Sequence, residues 1–158
     1  MWFKNDIKTL KKINLSDKKI EKIKIIFENF ITQNKNFSPS FLYYDFHPQN
    51  FTATFKNPDF KITTFWDFEN AFIGDCEWDI AYSIKLSFLR SKKLIKNFLN
   101  GYFNYKISEI NLKKIKIYLL LIITGSITYA LKNKKNYKKE IFNLNWYLKN
   151  MESLFNHN

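Results

Sequence analysis

The first part of the chain carries the hydrophobic pattern of amphipathic helices. Ser16 is a residue type that caps helices, and Ile20 and Ile23 follow it on one predicted face, with lysines on the other. The stretch 34–40 contains a proline, which disfavours helical backbone in the residue before it. Two helices are therefore predicted within residues 1–40.

The middle of the chain is rich in β-branched and aromatic residues, which favours strands. The segment 41–44 is one short extended piece, and the runs 51–55 and 60–65 are two more. The residues that separate the last two runs, 56–59, suit a tight turn. These two runs are therefore predicted to pair as a β-hairpin.

The second half of the chain returns to helical spacing, in the four segments 77–89, 91–103, 111–133 and 137–155. The longest apolar run has 15 residues, Ile117–Leu131, and is interrupted by threonine, glycine and serine. A membrane span needs about 20 apolar residues, so we expect a buried core helix and no membrane span. The whole pattern predicts one α+β domain that is mostly α.

The charge of the chain first suggests a nucleic-acid partner, since the formal net charge is +12. Arg90 is the only arginine among 26 basic residues, however, and proteins that read bases and phosphates favour the arginine fork. The lysines are also scattered along the chain rather than gathered in one stretch. We therefore expect a solvated, lysine-rich surface and no specific nucleic-acid site.

Cysteine and histidine are too sparse for most metal or disulfide chemistry. Cys76 is the only cysteine, and the two histidines, His47 and His157, are far apart in sequence. No internal disulfide and no cysteine-based zinc site are expected. The first four residues, 1–4, are followed by alternating charge instead of the apolar run of a signal peptide, so the expected location is the cytoplasm.

Polar residues that are candidates for catalysis or metal binding lie on both sides of the predicted hairpin. Asp45 and Asn50 precede its first strand, and Asp67 follows its second strand. Because a hairpin returns the chain to its starting point, these three side chains are expected to meet. A carboxylate and an amide can hold Mg²⁺ on a nucleotide phosphate, and a second carboxylate can take the proton of an acceptor hydroxyl. The group suits phosphoryl transfer.

The segments YYDFHPQNF (43–51) and TTFWDFENAFIGDCEWDIAYSI (63–84) resemble the aminoglycoside phosphotransferase and choline kinase family of protein-kinase-like enzymes. Members of this family typically read H-G-D-L-H-P-x-N and then I-D-F-E-x-A-x-x-G-D-P-x-x-D-L-A. The resemblance is close over residues 40–90. It implies the carboxy-terminal lobe of the protein-kinase-like fold, with a β-hairpin beside the catalytic loop.

The resemblance also implies a role for each matched residue. Asp45 corresponds to the catalytic base. Asn50 and Asp67 correspond to the ligands that hold Mg²⁺ and the nucleotide, with Asp67 at the position of the kinase D-F-G aspartate. The implied cofactors are Mg²⁺ and ATP as the phosphoryl donor, and the implied partner is a small molecule with a hydroxyl group.

Three further residues are expected to support the site. Asp79 matches a buried aspartate that accepts hydrogen bonds from the catalytic-loop backbone, and His47 and Asp75 match structural positions. The chain also departs from the family pattern, because Tyr43 and Tyr44 stand where members have His-Gly. The histidine helps to fix the loop and the glycine allows a tight approach, so this replacement bears on the catalytic geometry.

The amino-terminal nucleotide lobe of the family has no counterpart in the sequence. Its phosphate loop is rich in glycine, and the glycines here are Gly74, Gly101 and Gly125. The expected organisation is a single lobe, 1–158, without the nucleotide lobe; its parts are the N-terminal helices (1–40), the catalytic loop and hairpin (41–68) and a helical part (69–158).

Two functions follow from this organisation. The first is an ATP-dependent phosphotransferase, truncated, that phosphorylates a hydroxyl of a small acceptor. The alternative is an inactive kinase-like remnant, or one half of a split enzyme, that acts through a separate N-lobe polypeptide or by self-association. The expected lack of a nucleotide lobe leaves the choice between enzyme and non-enzyme open at this stage.

Overall fold

The computed structural model describes residues 2–33, 39–56 and 59–154. Two helices come first, α1 (Trp2–Lys12) and α2 (Asp17–Gln33). Four short strands follow, β1 (Pro39–Leu42), β2 (Phe51–Lys56), β3 (Asp59–Phe65) and β4 (Phe72–Asp75). The last part is helical, with α3 (Cys76–Ser83), α4 (Lys92–Tyr102), α5 (Glu109–Lys132) and α6 (Lys138–Asn150).

The predicted class, α+β and mostly α, is confirmed. α2 begins at Asp17, directly after the predicted capping residue Ser16. The end predicted for this helix over 34–40 lies largely outside the described residues, as does the centre of the hairpin turn at 57–58. Within the described part, the hairpin strands and the four later helices fall where the hydrophobic pattern predicts them.

Two features of the chain differ from the sequence prediction. The strand β4 lies within the part predicted to be helical, and it pairs antiparallel with β1, so that Leu42 is opposite Phe72. The four residues of β4 include a glycine and an aspartate, which are depleted in strands, so the sequence shows no strand pattern there. The predicted helix over 77–89 also changes its winding, because α3 is followed by a π-helical segment, Ile84–Phe88.

The core of the protein is built around α5. Ile115, Leu119, Leu120 and Ile123 of this helix are fully buried, and α1, α3 and α6 pack around it. By length and composition alone α5 could cross a membrane, yet 56% of its apolar window is buried inside the protein. Its polar buried groups are also satisfied, since the Thr128 hydroxyl donates to a carboxylate of α1. This is the environment of a core helix.

The hairpin lies outside this core and returns the chain to the loop that precedes it. Phe51 pairs with Phe65 at its base, and Lys56 pairs with Asp59 at its far end. A bulge interrupts the register between Thr52 and Ala53. Because the base pair holds the two ends of the hairpin together, the residues before Phe51 and after Phe65 become neighbours.

Gly74 offers a direct test of the unpredicted β1–β4 pairing. A Cβ atom at this position would lie 2.8 Å from Leu42 Cδ1 and 3.0 Å from a ring carbon of Phe72. We expect Gly74→Ala to lower the free energy of unfolding by about 1–3 kcal/mol, because the buried Leu42 has to shift. Urea denaturation followed by circular dichroism measures the change.

Gly101 provides the matched control. It lies in the last turn of α4, and a Cβ atom there meets nothing within 4 Å. Gly101→Ala should therefore be neutral or stabilising by up to about 1 kcal/mol, since alanine favours the helix. Equal effects of the two substitutions would contradict the packing described for β4.

Candidate active site

The loop between β1 and β2 holds Asp45 and Asn50 in direct contact. The Asn50 amide nitrogen Nδ2 donates to the carbonyl oxygen of Asp45 and to its carboxylate oxygen Oδ2, at 3.1 Å in both cases. Asn50 is buried and ends a short 3₁₀ turn, Pro48–Asn50. The turn therefore fixes the amide against the carboxylate.

His47 opens the same turn and faces Asp45. Its Nδ1 accepts a hydrogen bond from the backbone N–H of Gln49 at 3.2 Å. In the neutral imidazole this contact leaves the proton on Nε2, which lies 3.4 Å from Asp45 Oδ1. His47 thus lies where it can orient the carboxylate of Asp45.

Backbone contacts at the base of the hairpin bring Asp67 to the same loop. The Trp66 N–H donates to the carbonyl oxygen of Asn50 at 3.1 Å. The Tyr43 hydroxyl donates to the carbonyl oxygen of Trp66 and lies 3.3 Å from that of Asn50. Burial, followed by the charges of Asp67 and Asp45, raises the pKa of the Tyr43 hydroxyl. Both carboxylates therefore act electrostatically on this one phenol.

Two residues of the site have left-handed backbone. The φ angle is 70° at Tyr44 and 64° at Asp67. For residues other than glycine this conformation costs roughly 1–2 kcal/mol. Tyr44 occupies the position where the family pattern has glycine, so the strain there follows from the departure noted in the sequence. Such strain persists only where neighbouring contacts fix the backbone.

Asp79 of α3 supplies those contacts for the loop. Its Oδ2 accepts the backbone N–H of Tyr43 at 2.7 Å, and its Oδ1 accepts the backbone N–H of Tyr44 at 2.8 Å. Burial raises the pKa of Asp79, while the two hydrogen bonds act in the opposite direction. The carboxylate therefore holds the turn that leads directly into Asp45.

Asp75 belongs to a separate, buried cluster at the junction of β4 and α3. Its Oδ2 lies 2.8 Å from Lys114 Nζ and accepts the Tyr118 hydroxyl at 3.0 Å. Glu77 lies 3.7 Å from the same Lys114 nitrogen and accepts from the amide of Asn111. All three partners lie on α5, so the cluster fixes the start of α3 to the core helix.

The charges of this cluster are balanced internally. Burial opposes ionisation of Asp75, but hydrogen bonds from Glu77, Lys114 and Tyr118 outweigh it and lower the pKa of Asp75. Burial, and then the neighbouring Asp75, raises the pKa of Glu77. The donor atoms of Asp75, Cys76 and Glu77 lie within 4.8 Å of one another, a spacing that suits a metal ion. The ammonium group of Lys114 already provides the positive charge there.

A cleft of about 1090 Å³ is lined by Tyr44 and lies between α1, α3, α5 and the start of α6. The rings of Tyr44 and Tyr82 stack in its wall with centroids 4.4 Å apart. Burial and the adjacent Tyr44, together with the charge of Asp45, raise the pKa of Tyr82 to about 12. The cleft therefore ends within electrostatic range of Asp45.

These elements define the class of the fold, which is the carboxy-terminal part of the kinase-like fold. The GDP complex of wild-type aminoglycoside 2'-phosphotransferase-IIIa superimposes with a TM-score of 0.70 over 92% of this chain, at 14% sequence identity. The GDP complex of a point mutant of that enzyme gives the same TM-score and identity over 98% of the chain. The predicted fold is thus confirmed.

The extent of the likeness has two limits. This chain covers 51% and 54% of the two solved chains, so it spans about half of their length. No family model and no curated protein sequence matches the chain. The similarity is therefore one of fold, and the roles of individual residues depend on the site geometry.

The tyrosines that replace His-Gly are part of the loop's hydrogen bonding. The Tyr43 hydroxyl ties the loop to the segment after β3 through the carbonyl oxygen of Trp66. Tyr44 adopts the left-handed backbone conformation, and its ring stacks on that of Tyr82. Both large side chains therefore hold the loop, Tyr43 through its hydroxyl group and Tyr44 through its ring. The sequence pattern did not reveal the hydroxyl contact of Tyr43, because that contact joins two loops across the hairpin.

Asp79→Ala tests the anchoring of the loop. The substitution leaves two backbone N–H groups without their acceptor and removes the support of a left-handed residue. We expect the free energy of unfolding to fall by about 2–4 kcal/mol, measured by urea denaturation. Asp45→Ala should change the free energy of unfolding by less than about 1 kcal/mol, because the Asp45 side chain is oriented by its neighbours but does not pack in the core.

Glu152→Ala is the surface control, since Glu152 is exposed near the end of α6. It should shift the free energy of unfolding by no more than about 0.5 kcal/mol. An Asp79→Ala protein as stable as the Glu152→Ala protein would show that the loop does not depend on Asp79.

Proposed function

We propose that this chain is the catalytic-loop half of a phosphotransferase that transfers the γ-phosphoryl group of ATP to a hydroxyl of a small molecule. The observation that carries the proposal is that Asn50 holds Asp45 and that Trp66, the residue before Asp67, donates its N–H to Asn50, on a fold shared with a phosphotransferase. The solved neighbours are GDP complexes, which supports nucleotide binding at this fold.

The donor set around Asn50 and Asp67 fits a magnesium ion that is bound to nucleotide phosphates. Mg²⁺ takes one or two protein oxygens and keeps waters and phosphate oxygens as its other ligands. The Asn50 amide nitrogen is engaged on Asp45, so Oδ1 is the amide atom that is able to bind a cation. Asp67 adds an exposed carboxylate. When bound, the ion would neutralise charge on the phosphates.

Asp45 is the proposed base. Its Oδ2 is held by Asn50 and its Oδ1 faces His47, so the carboxylate is oriented before an acceptor arrives. An oriented carboxylate can accept the proton of an acceptor hydroxyl as the oxygen attacks phosphorus. In this scheme Asn50 and His47 are positioning residues, and Asp79 fixes the backbone that carries the base.

The cleft beside Tyr44 is the proposed acceptor site. Its volume of about 1090 Å³ suits a small molecule. It lies between the helices and is walled by Tyr82 and by Tyr44, the residue that precedes Asp45 in the chain. An acceptor bound there could present its hydroxyl towards the carboxylate.

A face of exposed apolar side chains supports a role for a second lobe. Phe41 is 63% exposed and Ile73 65% exposed on the β1–β4 pair, and Phe68 is 49% exposed beside them. Apolar patches of this kind mark interaction sites. We propose that this face receives the nucleotide-covering lobe, either from a longer protein or from a separate polypeptide. A kinase-like lobe that acts only through such a partner is the second candidate function.

The polypeptide of residues 1–158 by itself should bind nucleotide weakly. The proposed contacts bind the phosphates only from the side of Asn50 and Asp67. Each charge-assisted hydrogen bond that a second lobe would add is worth roughly 1.5–3 kcal/mol. We expect calorimetric titration with Mg·ATP or Mg·GTP to give a dissociation constant of about 1 mM or weaker. Transfer to a panel of small alcohols should be undetectable without a second lobe.

Asp67→Asn should weaken this nucleotide binding about tenfold or more, because the proposed metal ligand loses its charge. Asp59→Asn is the matched control, since it removes the same charge at the far end of the hairpin. Micromolar binding or clear turnover by the wild-type polypeptide would contradict the need for a second lobe. Equal binding by both variants would contradict the role of Asp67.

A further inference from the structure

The cleft next to Asp45 carries more positive than negative charge on its wall. Its charged residues are three lysines and two acids, namely Lys85, Lys132, Lys135, Asp6 and Glu140. The kind of molecule that fits depends on which of these charges remain available to a ligand. The contacts of each charged side chain show which ones are available.

Both acids of the cleft are already engaged. Asp6 is buried, and its Oδ1 accepts the Thr128 hydroxyl at 2.6 Å. Burial raises the pKa of Asp6, although the charge of Lys132 acts in the opposite direction. Glu140 Oε1 lies 3.5 Å from Lys85 Nζ, and both side chains are largely buried. Glu140 is therefore paired with a cation, whereas Asp6 is buried and held by a neutral hydroxyl.

The cations at the rim are less committed. In the part of the chain that the structure describes, neither Lys132 nor Lys135 lies within 4.0 Å of a carboxylate oxygen. Lys135 Nζ lies 5.0 Å above the ring of Tyr129. Trp78 also lines the cleft, and its buried Nε1–H has no acceptor among the described residues. The exposed charged groups left for a ligand are therefore the cations Lys132 and Lys135.

We infer that the acceptor of this cleft is a small alcohol that carries an anionic group, a carboxylate or a phosphate, on a compact ring-shaped body. The inference rests on the proposed phosphotransferase function and narrows its substrate class. The anionic group would bind Lys132 and Lys135, and the ring would lie against the stacked Tyr44 and Tyr82. A polyamine acceptor would meet two lysines without an ion pair and only one such acid, the buried Asp6.

Three sugars that differ mainly in charge provide the test. Glucose 6-phosphate, glucose and glucosamine share a ring and hydroxyl groups but are anionic, neutral and cationic. Binding to the full chain is measured by NMR titration without nucleotide. We expect glucose 6-phosphate to bind at least about tenfold more tightly than glucose, and glucosamine to bind more weakly than either. No binding of glucose 6-phosphate, or tighter binding of glucosamine, would overturn the inference.

A pair of double variants separates local from overall charge. Lys132→Gln with Lys135→Gln should abolish the preference for glucose 6-phosphate. Lys138→Gln with Lys139→Gln removes the same charge at the start of α6, outside the cleft wall, and should retain the preference. An equal loss in both proteins would show only general attraction and would overturn the inference.

This outcome is independent of the nucleotide test. If Mg·nucleotide binds and the anion preference is absent, the acceptor class is wrong and the proposed phosphotransferase function stands. If the anion preference is present and Asp67→Asn binds nucleotide as well as Asp59→Asn does, the cleft is an anion-binding site and the proposed role of Asp67 in phosphoryl transfer fails.

Discussion

Two hydrogen bonds to one carboxylate determine the geometry of the candidate site. Asp79 accepts the backbone N–H groups of Tyr43 and Tyr44, and the next residue in the chain is Asp45. The bonds offset part of the cost of burying the carboxylate and support the left-handed backbone of Tyr44. The position of the proposed base therefore depends on a residue of α3 and not on the loop alone.

The position of α3 depends in turn on the core. Asp75 and Glu77 at its start are held by Lys114 of α5, and α5 is the helix around which the other helices pack. A buried ion pair of this kind fixes the orientation of α3 more than it adds net stability, because desolvation offsets much of the attraction. The apolar helix, the ion pair and Asp79 thus form a continuous path of contacts from the core to the loop.

The parts of this arrangement that follow local rules were predictable from the sequence. Asp45, Asn50 and Asp67 flank a hairpin, and a hairpin brings its two ends together whatever surrounds it. The strand β4, the partners of Asp75 and the contribution of Asp6 to the cleft were not predictable. Each depends on packing between segments that are distant in sequence, and four residues of strand or one lysine on a long helix carry no distinguishing pattern.

The central claim is that Asn50 and Asp67 hold a metal–nucleotide complex, and Mn²⁺ in place of Mg²⁺ tests it most directly. Added with excess nucleotide, the paramagnetic ion broadens NMR signals near its binding site even when binding is weak. The account predicts selective broadening of the Asn50 side-chain amide and of the backbone amides of Trp66 and Asp67. Broadening centred on Asp75 and Glu77, or spread evenly over the protein, would contradict it.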